Sequence, residues 1–192
     1  MVSIILISLI MVKLIIFCLN LILDETVQNK RLIIFLYFIL PLINIMLYVK
    51  LGMTNSFVMY SILISFLIVI SIVDFYTMYI YDIIVISGII VQGFIIILTE
   101  SIFLNHLIGL IYGFIIPYII FKLIKGIGSG DIGVYALCCF CIGITNCIYL
   151  IPISFVIGAI YAIYLLIFKR KSKHSYFPFT PCILLGTLMT IF

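Results

Sequence analysis

Lys125-Gly126-Ile127-Gly128-Ser129-Gly130-Asp131 interrupts two long apolar runs, residues 102–124 before it and residues 132–148 after it. A helix of about 20 mostly apolar residues is needed to cross a hydrocarbon core of about 30 Å. The stretch therefore reads as a glycine-flexed turn at a membrane boundary, and its last residue is a carboxylate. A charge at the edge of hydrocarbon costs several kcal/mol unless it is hydrated, paired or neutralised, so Asp131 is a functional candidate by default. Working outward from this turn, the same test gives runs at 2–23, 32–49, 56–73, 80–98, 102–124, 132–148, 151–168 and 176–192. The predicted fold is an all-α, polytopic transmembrane helix bundle of about eight spans. It forms one integral-membrane unit over 1–192, with N-terminal spans in 1–55 and the candidate acids in a core over 56–192.

Composition supports that reading. The chain is 67% hydrophobic and 8% charged, with a mean hydropathy of +1.53, which excludes a soluble globular domain. The first run lacks a basic start and a small-residue cleavage site, and is read as a retained helix rather than a secretory signal. With the N-terminus outside and eight spans threaded, the inner loops carry Lys30, Arg31, Lys122, Lys125, Lys169, Arg170, Lys171 and Lys173, eight of the ten basic residues. This obeys the positive-inside rule and puts Asp74 and Asp131 on the same, cytoplasmic side. The net charge of +4 is then an orientation signal and an attraction to anionic membrane lipid. No aromatic-basic groove or recognition helix is present, so nucleic acid is not an expected partner.

Asp74 sits at the end of the third run, and Asp131 opens the sixth. Two acids on converging helix ends suffice for peptide hydrolysis if one is ionised and one protonated around a single water. Such values belong to the coupled pair, so neither aspartate takes a separate role. Gly126, Gly128 and Gly130 alternate ahead of Asp131, and glycine permits both a tight turn and the close approach of another backbone. They are read as presenting Asp131 while leaving room for an extended peptide; the plainer reading is a flexible connector. Asp82, two helical turns beyond Asp74, is the alternative partner for Asp131. Its plainer reading is a helix-start acid favoured by the macrodipole.

Other chemistries find little support. Cys138 and Cys141 have the C-x-x-C spacing but lie within an apolar run, where free cysteine packs as a small hydrophobe. This pair is read as structural, and neither metal nor cofactor is expected. His106 and His174 are assigned to opposite membrane faces and cannot share a metal. No H-E-x-x-H or G-x-S-x-G motif occurs. Pro178 and Pro181, in Tyr176-Phe177-Pro178-Phe179-Thr180-Pro181, are expected to keep the start of the last run non-helical or kinked. Such backbone survives at membrane depth only inside protein or beside a wet cavity.

Three segments, in order, resemble the prepilin peptidases, also called type IV leader peptidases. Val73-Asp74-Phe75-Tyr76-Thr77-Met78-Tyr79-Ile80-Tyr81-Asp82 resembles the family's first aspartate segment, although Tyr81 stands where the family usually has proline. Gly126-Ile127-Gly128-Ser129-Gly130-Asp131 resembles its G-x-G-D motif, and Phe177-Pro178-Phe179-Thr180-Pro181 a proline-phenylalanine-proline segment before the last span. The resemblance implies an aspartic endopeptidase with Asp74 and Asp131 catalytic. It implies pilin-like precursors as substrates, cut after a short basic leader at the cytoplasmic face of a bacterial cell membrane. Residues 24–31 stand in place of the tetracysteine zinc loop of larger relatives, so N-methyltransferase activity is not expected. Tyr81-Asp82 with G-x-G-D also echoes presenilins and signal peptide peptidases, which would make Asp82 and Asp131 an intramembrane pair. A small transporter or scaffold with buried acids is the non-enzymatic alternative.

Overall fold

In lipid no water takes up the backbone's hydrogen bonds, so an apolar chain must satisfy them internally, as helices do. The computed structural model describes residues 2–23, 30–99, 103–124, 128–168 and 177–192. The described residues form seven helices: α1 (Val2–Ile22), α2 (Lys30–Leu51), α3 (Asn55–Thr77), α4 (Asp82–Leu98), α5 (Phe103–Ile124), α6 (Ser129–Phe168) and α7 (Thr180–Ile191). Five of them, α1, α2, α3, α5 and α6, are long and apolar enough to cross a membrane. The 17 residues of α4 and the 12 of α7 fall short of that length. The described helices thus give fewer spanning lengths than the eight runs in the sequence.

Part of that difference lies in α6, where two runs, 132–148 and 151–168, join in one 40-residue element. That element is not straight. Gly143 within it has φ 77° and ψ 167°, a conformation open to glycine and strained for other residues. The Cα atoms of Cys139 and Cys147 are 5.0 Å apart, whereas eight residues of continuous helix rise about 12 Å. Farther from the turn, the Tyr135 hydroxyl bonds the Ser154 hydroxyl, and the Tyr135 ring stacks on Phe155 with centroids 6.4 Å apart. A continuous helix would separate these residues by about 28 Å. The chain therefore folds back at Gly143 into two limbs, 129–142 and 144–168. The apolar runs place this break at 149–150; the positive-φ glycine sets it earlier.

The chain divides into two compact units, Met1–Ser65 and Phe66–Phe192, the division falling inside α3. In the first, α1 packs on α2 through buried residues such as Val12, Leu19, Leu36, Leu40 and Leu47. Its polar groups find partners: buried Ser61 Oγ donates to Asn44 Oδ1 at 2.9 Å, and half-buried Ser65 Oγ to its own helix at Ser61 O. In the second unit α6 is central, packing on α4, α5 and α7. The α5 contact is backbone-close, since a Cβ on Gly109 would collide with Cys139 O and one on Gly113 would stand 2.7 Å from Tyr135 O.

Candidate active site

The last turn of α3 carries Asp74. The helix runs on to Thr77, so this acid lies inside the helix rather than at its tip. Termination follows at once: Met78 takes the left-handed conformation, φ 54°, and its N–H donates to Asp74 O at 2.9 Å. Thr77 Oγ1 bonds back to Val73 O and accepts from Tyr79 N. The chain then runs non-helically through Ile80 and Tyr81 before α4 begins.

Ile80 links the two aspartate segments. It is buried, and a Cβ on Gly130 would lie 2.8 Å from Ile80 Cβ. The connector after Asp74 thus presses on the first turn of α6, and the absent side chain of Gly130 is what permits the approach. Gly128 does something different. Its N–H donates to Asp131 Oδ2 at 3.0 Å, while Asp131 N–H donates to Gly128 O at 3.2 Å. The turn closes around its own carboxylate.

The third element is α7. Residues 177–179 are non-helical and α7 starts at Thr180, with Pro181 in its first turn. Proline there forfeits only an N–H that the first turn leaves unbonded anyway. Thr180 N–H donates to Asp74 Oδ2 at 3.0 Å, so the positive end of α7 faces a carboxylate, a favourable pairing. Asp74 is 6% exposed, Asp131 4% and Thr180 0%. The two carboxylates are within electrostatic reach of each other, and the Thr180 side chain stands beside both. Yet Asp131 Oδ1 and Thr180 Oγ1 are buried without a protein hydrogen-bond partner.

An apolar cavity of about 200 Å³ opens at the start of α7, lined by Phe75, Ile157, Tyr161, Pro178, Pro181, Cys182 and Leu185. Phe75 adjoins Asp74 in the chain, and Cys182 feels the charge of both aspartates. Tyr161, Phe177 and Phe179 pack ring to ring at the side of α6 and α7, with centroids 5.6 and 6.3 Å apart.

Of the residues singled out in the sequence, the structure brings Asp74 and Asp131 together and sets Gly128 and Gly130 around Asp131. Asp82 is the exposed first residue of α4, where the helix macrodipole favours an acid. Tyr81 before it has φ −80° and ψ 115°, near the backbone a proline would impose. Gly126 lies outside the described residues, as do Lys125, Asp24, Glu25, Glu100, His174 and the basic cluster at 169–173. His106 Nδ1–H donates to Phe140 O at 2.8 Å. Among the described residues no three His, Cys, Asp or Glu side chains gather as a metal site.

Two features are not anticipated by the sequence pattern. Cys139 and Cys147 form a disulfide, while Cys138 and Cys141 are free and buried; only the fold-back at Gly143 makes the bonded pair neighbours. Thr180 is the second, although it is the one hydroxyl in Phe177-Pro178-Phe179-Thr180-Pro181, and a lone polar residue among prolines and aromatics is a signal. The family model of the type IV leader peptidases matches residues 61–163, which include Asp74, Asp82 and Asp131 but not the proline segment. Neither the curated proteins nor the solved structures hold a match for the chain. Because the family match covers more than half of the 192 residues and takes in both aspartate segments, this protein belongs to the type IV leader peptidase family, a family of membrane proteases.

Proposed function

We propose that the protein is a membrane aspartic endopeptidase that removes the short basic leader of type IV prepilin-like precursors, with Asp74 and Asp131 as its reacting pair. The observation that carries this reading is the meeting of two buried carboxylates from different helices, each held by a backbone N–H. Close carboxyl groups share a proton more readily than they both ionise. The ionised member takes a proton from water as the water oxygen bonds to the scissile carbonyl carbon. The neutral member hydrogen-bonds the carbonyl oxygen as charge builds there. Collapse breaks the C–N bond, and the leaving nitrogen takes up the proton.

The apolar cavity at the start of α7, lined in part by Phe75, suits a precursor whose leader runs straight into a hydrophobic helix. That helix resides in the bilayer, so the junction reaches the pair already oriented, which lowers the entropic part of the barrier. With basic residues directed inward, the pair faces the cytoplasm of a bacterial cell, and residues 56–192 form the catalytic core.

Cleavage of a co-expressed prepilin-like precursor in membranes tests the proposal. At matched abundance, Asp74→Asn and Asp131→Asn are expected to lose activity by about 10³-fold, with Asp82→Asn close to wild type. Loss in Asp82→Asn with activity kept in Asp74→Asn would transfer the role to Asp82. Wild-type membranes that cut none of several precursors would overturn the peptidase assignment.

A further inference from the structure

Burying a polar atom without a partner costs about 1–3 kcal/mol, and native proteins leave few such atoms without a reason. Two lie in this one place. Asp131 Oδ1 and Thr180 Oγ1 are both buried and without a protein partner, and the Thr180 side chain stands beside Asp131 and Asp74 alike. The same residue already holds Asp74 through its backbone N–H at 3.0 Å. Its hydroxyl is not spent on the helix either, although Thr187, two turns along α7, bonds its hydroxyl back to Ile183 O.

We infer that Thr180 is a positioning residue of the site: its backbone N–H fixes Asp74, and its hydroxyl, together with Asp131 Oδ1, holds the water that the pair activates. The inference rests on the reading of Asp74 and Asp131 as the reacting pair. A hydroxyl both donates and accepts, so it serves whichever carboxyl carries the proton and keeps the water in line as that proton moves. A third carboxylate in its place would add repulsion. Threonine's β-branch also limits the rotamers of the hydroxyl.

The test separates the hydroxyl from the shape of the side chain. Thr180→Ser keeps the hydroxyl; Thr180→Val keeps the shape and the backbone N–H. With a cleaved precursor, Thr180→Ser is expected to stay within about threefold of wild type. Thr180→Val is expected to lose about 10- to 100-fold in kcat with little change in KM. A purely structural role predicts the reverse order, and equal activity in Thr180→Val and wild type would overturn the inference.

A second readout needs no substrate. An apolar carbodiimide attacks neutral carboxyl groups in membranes, and its adducts on Asp74 and Asp131 are counted by mass spectrometry. Loss of the hydroxyl, and with it of the water it holds against Asp131, removes a donor that favours the ionised form, so labelling is expected to quicken about threefold or more in Thr180→Val and to stay unchanged in Thr180→Ser. Identical labelling in all three proteins would overturn the role of Thr180. If labelling changes while no precursor is ever cut, the polar site stands and the choice of substrate falls.

Discussion

The 129–142 limb of α6 ends in a glycine turn on both sides, and the two turns are finished differently. At Gly143 the structure is closed. Cys139 and Cys147 are covalently joined across the fold-back, His106 caps Phe140 O, and the Asn105 amide fills the space a side chain at Gly143 would need. At Gly128-Ser129-Gly130 the backbone is held equally well, but Asp131 Oδ1 and Thr180 Oγ1 remain open. At one turn a neighbouring helix supplies a histidine to a backbone carbonyl; beside the other, two buried side-chain oxygens have no protein partner. A turn that only has to reverse the chain has no use for unmet groups, whereas a site that must hold water and substrate does.

The same substitution at the two ends should therefore fail in different ways. Gly143→Ala forces a side chain into φ 77°, and its Cβ would collide with the Asn105 amide nitrogen. Backbone strain alone costs about 1–3 kcal/mol, and the clash adds to it. The expected result is a large loss of thermal stability in detergent, with activity per folded molecule unchanged. Gly128→Ala has no left-handed backbone to strain, but its Cβ would stand 3.1 Å from Asp131 Oδ2. Displacing that oxygen by a few tenths of an ångström is expected to lower kcat about tenfold at nearly unchanged stability. Equal stability losses at both positions would erase the distinction between the turns.

The disulfide gives a smaller effect at the closed end. Cys139→Ser opens a short loop and is expected to cost about 2 kcal/mol, read as a lower unfolding temperature, with cleavage within about twofold of wild type. Alkylation of the denatured, unreduced protein is expected to modify Cys18, Cys138, Cys141 and Cys182, and all six cysteines after reduction. Modification of all six without reduction would show the closed turn to lack its cross-link.

These two ends also mark how far the sequence can be read. Asp74 and Asp131 are legible because a carboxylate among apolar runs has few structural excuses. The helices are legible because hydropathy and length leave lipid-exposed chain little else to be. Gly143 is not legible, since Ile142-Gly143-Ile144 looks like any single glycine that an apolar helix tolerates. What singles it out is the part of α5 laid against it, where Asn105 and Gly109 meet the fold-back and His106 takes up Phe140 O. The disulfide inherits the same blindness, because residues eight apart do not touch on a continuous helix. Thr180 is hidden for another reason. Its importance comes from Asp74, 106 positions away, and no local pattern reports that distance.

The smallest effect is at the open end. Met78 stops α3 one turn after Asp74 with φ 54°, a place usually given to glycine. Its side chain is 50% exposed, so the core gains little from it, while a non-glycine residue in this conformation costs about 1 kcal/mol or more. Met78→Gly should therefore relieve strain and raise stability by about 1 kcal/mol, the opposite sign to Gly143→Ala. The backbone N–H that caps Asp74 O is kept in the variant, so the carboxylate holds its place and cleavage should match wild type. A fall in activity despite the gain in stability would mean that the methionine side chain itself meets the substrate, extending the open end of the molecule beyond Asp74 and toward the membrane surface.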